Sequence, residues 1–142
     1  MTYEHFEHGA DVGVRGIGET PEEAFEGAAC ALCALLSEDL SRVRPAVEEE
    51  ISCTADGLDE LLVAFLNEII FLMGAHRLIF GRFSVSIERA DGGARRLRAS
   101  AWGEPIDPER HEVTVEPKGA TFTELEVARR GKNWVAQCVV DV

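Results

Sequence analysis

The chain has no apolar run long enough to cross a bilayer. Its longest stretch, Leu61 to Met73, is broken by Asn67 and Glu68. It also has no apolar leader, because Glu4 and Glu7 stand where the hydrophobic part of a signal peptide would be. Cysteine is scarce. Cys30, Cys33, Cys53 and Cys138 all fall inside apolar segments rather than at loop positions, so a disulfide framework is excluded and a reduced, cytoplasmic compartment is expected. Positive charge is in deficit, with 14 Lys and Arg against 26 Asp and Glu and a net charge of −12. That balance disfavours autonomous binding to nucleic acid, whose phosphates need cations, and suits either a basic protein partner or simple solubility. No serine or cysteine stands with a paired base, so a nucleophilic triad is not supported. There is no repeat, linker or low-complexity segment.

What is present suffices for one domain over residues 1–142. The apolar fraction, 46%, is that of a globular chain able to bury a core. Tyr3 to Phe6 and Val12 to Ile17 read as two strands joined through Glu7 to Asp11. Thr20, Pro21 and Glu23 form a helix start, with a capping hydroxyl, a proline at the first helical position and an acid at the third. Ala24, Phe25, Ala28, Leu32, Leu35 and Leu36 then repeat at helical spacing to about Leu36. Val47 to Thr54 reads as a strand whose Glu48-Glu49-Glu50 run marks an edge. A second helix is expected from Leu58, with Asp56 as cap and Gly74 as stop. Its wide apolar stripe makes it the expected central, most buried helix.

The second half reads as strands. Phe83, Val85 and Ile87 alternate with polar residues, Asp91-Gly92-Gly93 signals a hairpin, and Leu97, Ala99 and Ala101 alternate on the return. Val113 and Val115 mark a short strand, and Thr123, Leu125 and Val127 the next. Gly131 turns the chain into a last strand, apolar on both faces and therefore central. The fold class is α+β, two helices packed on a mostly antiparallel sheet.

Several motifs carry little chemistry. Cys30 and Cys33 are three apart inside a helix, where core packing outweighs zinc or redox chemistry. Gly13, Gly16 and Gly18 lie in a strand, not in a dinucleotide-binding turn. Arg95, Arg96 and Arg98, and later Arg129, Arg130 and Lys132, have no interleaved aromatic residues and read as solvated faces. His5 reads as a partly exposed imidazole near a loop rather than a ligand, although His5 and His8 with Asp11 could ligate a transition metal. His8 is open between an exposed imidazole and a ligand.

The sharper signal is at the ends. Asp141 stands one residue from the terminal carboxylate of Val142, after an apolar run from Trp134 to Val140. Asp11 sits in Gly9-Ala10-Asp11-Val12-Gly13. If the termini meet, three carboxylates converge without a base, which calls for a hard cation, a basic partner or shifted ionisation. Oxygen-only ligation suits calcium or magnesium.

These segments together resemble the archease family. His8-Gly9-Ala10-Asp11-Val12-Gly13-Val14-Arg15 is similar to its H-T-A-D-x-G-[IV] signature, and Thr20 to Phe25 to its first helix. Leu61-Leu62-Val63 and Leu66 to Leu72 resemble its central helix. Gly103 to His111 resembles its G-E-x-x-D-x-x-R-H segment, Lys118 with Thr121 its K-A-x-T, and Val139-Val140-Asp141-Val142 its terminus. The chain departs from the pattern at Gly9, where threonine is usual, and at Gly119, where alanine is usual.

The resemblance implies an α+β fold related to the strand-helix-strand-strand module. It implies an accessory protein, not an enzyme, that activates an RtcB-type RNA ligase in tRNA splicing or RNA repair by promoting its guanylylation and multiple turnover. It implies a calcium- or magnesium-like site at Asp11, Asp141 and Val142, and RNA met only through the ligase. His8, Glu104 and Lys118 are candidates to touch the ligase or its nucleotide, although Glu104 and Arg110 equally suit an internal ion pair pinning residues 103–111. Two other readings are a chaperone-like scaffold for RNA-processing proteins and a small metal-dependent hydrolase with His8 as base.

Overall fold

A computed structural model describes residues 1–142. Strands β1 (Thr2–His8) and β2 (Asp11–Gly18) form the first hairpin, followed by helix α1 (Pro21–Leu36), β3 (Val47–Ala55) and helix α2 (Leu58–His76). Then come β4 (Leu78–Arg89), β5 (Arg95–Pro105), the one-turn helix α3 (Pro108–His111), β6 (Gly119–Ala120), β7 (Glu126–Arg130) and β8 (Asn133–Asp141). One sheet runs β1-β2-β8-β6, with β7 also paired to β8, and the other runs β3-β5-β4. Every pairing is antiparallel. The α+β class expected from the sequence holds.

The Thr20 hydroxyl accepts the Glu23 N–H at 3.1 Å and starts α1 where the capping pattern placed it. Helix α1, not α2, is the most buried. It packs between the two sheets, against β2 on one side and β4 on the other. Twelve of its 16 residues are buried, against eight of 19 in α2. The apolar stripe of α2 is wide, but part of it faces solvent: Phe71 is 60% exposed. Small residues let α1 approach the sheet. A methyl group at Gly16 would fall on the Ala24 carbonyl and the Ala28 N–H of the helix. Gly16→Ala is therefore expected to cost about 3 kcal/mol, since backbone on both sides must give way. A urea melt checks this, and a loss below about 1 kcal/mol would show that the helix can move aside.

Four local expectations need correction. Helix α2 is capped by Gly57, not Asp56, and no side chain caps it. It runs through Gly74 to His76 and ends at Arg77, which takes the left-handed conformation (φ 53°). The Arg77 carbonyl accepts the Ile106 N–H at 2.9 Å, a tertiary bond that fixes this later stop. Val113 and Val115 form no strand. Their segment lies across the C-terminus of α1, where Thr114 gives its N–H to the Leu36 carbonyl (3.3 Å) and its hydroxyl to that of Leu35 (3.2 Å). These carbonyls lack helical partners, so the segment serves as a cap. Thr123 to Leu125 is a turn, with Glu124 at φ 55°, and the strand begins only at Glu126.

Side chains also close exposed strand edges. The Glu26 carboxylate of α1 accepts the Val85 N–H of β4 (2.8 Å), and Asp59 of α2 accepts that of Val127 on β7 (3.1 Å). Asn67 brackets Ala120 of β6, accepting its N–H (2.8 Å) and donating to its carbonyl (3.3 Å). Each bond satisfies one or two edge groups within the fold.

Candidate functional site: a row of carboxylates at the strand ends

Sheet register brings the two ends of the chain together. His8 pairs with Asp11 across the first hairpin, which turns at Gly9 with φ 62°. Val12 pairs with Val140, so the next step along the same ladder sets Asp11 opposite Asp141. Asp141 pairs in turn with Gly119, and the Lys118 N–H donates to the Asp141 carbonyl at 2.8 Å. The result is a row across four strands: His8, Asp11, Asp141, then Gly119 with Lys118 beside it. Opposed residues of antiparallel strands project to one face. Val14, Ala136, Cys138 and Val140 face the core, so alternation turns Asp11 and Asp141 to the other side.

Sheet pairing thus supplies the meeting of the termini that the sequence reading required. Asp11 is half-buried and lines a shallow recess with Phe6, Gly9, Ala10 and Val12. Asp141 is exposed, and Val142 packs its side chain against the core with its carboxylate one residue from Asp141. Neither aspartate side chain has a hydrogen bond or an ion pair, and neither do those of His8 and Lys118. No three His, Cys, Asp or Glu side chains converge anywhere in metal-holding geometry. The candidate centre is instead two aspartates and the terminal carboxylate, an all-oxygen, anionic donor set fit for a hard divalent cation.

Other candidates have structural roles. The His5 ring bonds through Nε2 to the Ala31 carbonyl of α1 at 2.7 Å. Glu104 lies in the other sheet, at the end of β5, and is only 5% exposed. It forms an ion pair with Arg110, accepts the Arg44 N–H at 2.8 Å and bonds His111 Nε2 at 3.0 Å. The internal ion pair, one of its two sequence readings, is what the fold contains. The four cysteines are free. Burial pushes the thiols of Cys30 and Cys53 up to about 11 and that of Cys138 to about 12, and raises Cys33 further, so none is poised for redox or zinc chemistry.

Two features escaped the sequence reading. His111 is fully buried against Glu104. Arg82 lies over Trp102, its guanidinium carbon 4.8 Å from the ring centroid, on the face that carries Arg98. The alternation along β5 held a signal for the second, since Arg96, Arg98, Ser100 and Trp102 recur every other residue. Arg82 reaches them only through the β4–β5 register.

Fold and site define a small acidic α+β domain that presents carboxylates where its second and last strands meet. The model of the Archease protein family (MTH1598/TM1083) matches residues 3–142, and the chain belongs to that family. The protein archease of Pyrococcus furiosus is 40% identical over 141 residues, 99% of this chain and 98% of that protein. That of Methanosarcina mazei is 36% identical over 140 residues, 99% of this chain and 95% of that protein. The solution structure of Methanobacterium thermoautotrophicum protein 1598 superposes with a TM-score of 0.86 at 31% identity, covering 99% of this chain and 98% of the other. The crystal structure of an archease, described as a possible chaperone, from Thermotoga maritima shares the fold, with a TM-score of 0.55 at 18% identity over 96% of this chain and 94% of the other.

Proposed function

We propose that this protein is an accessory factor of an RtcB-type RNA ligase in tRNA splicing or RNA repair, promoting ligase guanylylation and repeated turnover without catalysing ligation itself. The observation that carries the reading is the row His8–Asp11–Asp141 with Lys118 at its end, set at the strand ends of an acidic domain. Asp11, Asp141 and the Val142 carboxylate would hold a calcium- or magnesium-like cation. When bound, such an ion neutralises phosphate charge and helps orient a leaving group in nucleotidyl transfer. The chain's own residues do the rest. The negative surface steers this end toward a basic, phosphate-binding mouth on the ligase. Lys118, held by its bond to the Asp141 backbone, places a cation beside the carboxylates to meet a phosphate or an acidic group. The His8 ring offers a hydrogen bond at the opposite end of the row.

The test is multiple-turnover ligation of broken RNA by a cognate ligase with GTP and divalent metal, with and without this protein. Faster appearance of the ligase–guanylate adduct and more than one turnover per ligase are expected. Unchanged turnover and adduct formation with a competent ligase would remove the activator reading. Partner binding that ignores both GTP and the carboxylates would replace it with scaffolding.

A further inference from the structure

The outward face of the β3-β5-β4 sheet carries a second arrangement, in the other sheet from the carboxylate row. Register sets three cross-strand rows on it: Glu48–Trp102–Arg82, Glu50–Ser100–Ser84 and Ser52–Arg98–Ser86. The last two line a broad recess floored by the short side chains of β5 and its neighbours. At one end the recess meets the Arg82–Trp102 stack, whose indole N–H donates to Glu48 at 2.9 Å and so fixes the ring. Arg96, on the far side, is neutralised by Glu88 at 3.5 Å. Arg98 differs, for no carboxylate comes within ion-pair distance of it and a serine flanks it on each strand.

Each part has a matching chemistry. An unneutralised guanidinium between two hydroxyls is a donor set for one phosphate group. A ring fixed edge-on to a carboxylate and layered with a guanidinium gives flat surface on which a base stacks. The Glu50 carboxylate, one row from Arg98 and without a partner of its own, is an acceptor placed between phosphate and base, where a ribose 2′-hydroxyl donates. Three unlike groups spaced over neighbouring rows match one nucleotide unit. A protein strand would instead seek a backbone edge, whereas these groups stand on the face of the sheet.

The geometry points to a contact for single-stranded RNA on this face, with Arg98, Ser52 and Ser86 at a phosphate, Glu50 at a ribose hydroxyl and the Arg82–Trp102 stack at a base. The net charge of −12 keeps the contact weak when the protein is alone. Its place is therefore on RNA already held by another protein.

The test uses amide and indole chemical shifts of the intact protein at low salt, titrated with a 12-nucleotide oligouridylate, the matching oligodeoxyuridylate and inorganic phosphate. Shifts confined to residues 50–52, 84–86 and 98–102 and to the Trp102 indole are expected with RNA. Binding should fall with salt at a log–log slope of roughly −0.7, one phosphate's worth. Arg98→Ala should flatten that slope and weaken binding at least about fivefold. Trp102→Ala should weaken it about tenfold, within the range for one stacked base. DNA binding as tight as RNA, inorganic phosphate reproducing the whole shift pattern, or shifts absent or centred on Asp11 and Asp141 would each overturn the assignment. So would a cognate ligase without RNA covering the same amides. Trp102→Phe keeps the packing and a ring, and its retained binding separates lost stacking from lost folding. The ligation assay is independent of these readouts, so failure here leaves the activator reading standing, and the reverse.

Discussion

Asp11→Asn and Asp141→Asn are expected to abolish stimulation of the ligase while leaving the fold intact, and to make the cation-free protein slightly more heat-stable. The two effects have one cause. Asp11 and Asp141 lie one step beyond the Val12–Val140 pair of β2 and β8, the chain ends one residue after Asp141, and no lysine or arginine is paired to either aspartate. Without a cation the like charges gathered at this end have no counter-ion, so removing one is expected to help rather than harm the fold. With a cation the sign reverses, because ligand bound only by the folded state stabilises it. At a hundredfold excess over its dissociation constant the ion adds about 2.7 kcal/mol. For a domain of this size that is a rise in Tm of roughly 8 °C.

The measurement is thermal unfolding of wild type and both variants with and without calcium or magnesium, beside the coupled ligation assay. Wild type should gain heat stability with cation and each variant should not. Stimulation should be lost in parallel, because either substitution removes one of the three anionic donors proposed for the cation. A variant that loses the cation-dependent rise yet stimulates normally would separate the metal from the function. A wild type whose Tm ignores both ions would remove the oxygen-ligated cation from the site.

How much of this could be read from the chain depends on which interactions decide each element. Helix α1 was legible to the residue at its start because its signals are local: a hydroxyl at Thr20, a proline at Pro21 and apolar residues at helical spacing. The carboxylate row was half legible. Asp11 and Asp141 stood out as acids in apolar surroundings, but only the pairing of β2 with β8 brings them together. The segment around Val113 and Val115 misled, because alternation is a strand signal and the demand from the open carbonyls of α1 is not visible in it. The end of α2 misled for a similar reason. Gly74 is a good local stop, but the bond from Ile106 to the Arg77 carbonyl favours a helix about one turn longer. The Arg82–Trp102 stack joins residues twenty positions apart, one on each arm of a hairpin that has a bulge between Phe80 and Arg82. That bulge shifts the register by one, so counting from the hairpin's far end would place the wrong residue beside the ring.

Glu104→Gln is the second substitution with a large expected effect, and it falls on stability rather than on the ligase. The Glu104 carboxylate gathers three donors from two parts of the chain: Arg110 and His111 Nε2 of α3, and the Arg44 N–H before β3. Nδ1 of His111 accepts the Asp107 N–H at 2.9 Å, so the ring proton sits on Nε2 and donates to Glu104. The Ser37 hydroxyl bonds the His111 carbonyl and ties the cluster to the end of α1. No buried polar side-chain atom is left without a partner, and glutamine keeps only one acceptor oxygen, so its NH2 must face either the Arg110 guanidinium or the N–H groups of His111 and Arg44, donor against donor, with the carboxylate charge gone. Breaking such a pair costs about 3 kcal/mol.

Ionisation gives the second readout. The hydrogen bond from Arg110 is the main cause holding the Glu104 carboxyl down to about 2, against the opposing effect of burial and with help from Arg44 and His111. In the unfolded chain a glutamate titrates near 4.3. A group whose folded value is the lower one contributes stability that is complete above its unfolded value and is lost as pH falls through the folded one. The stability gap between wild type and Glu104→Gln should thus be constant from pH 7 to about 5 and shrink from there toward pH 2. Urea melts across that range measure it directly, and the difference between the two proteins removes the carboxylates they share. A gap that stays constant to pH 2 would mean that the carboxylate charge is not what holds residues 103–111. A variant as stable as wild type that fails to stimulate the ligase would return Glu104 to the surface role that its burial argues against.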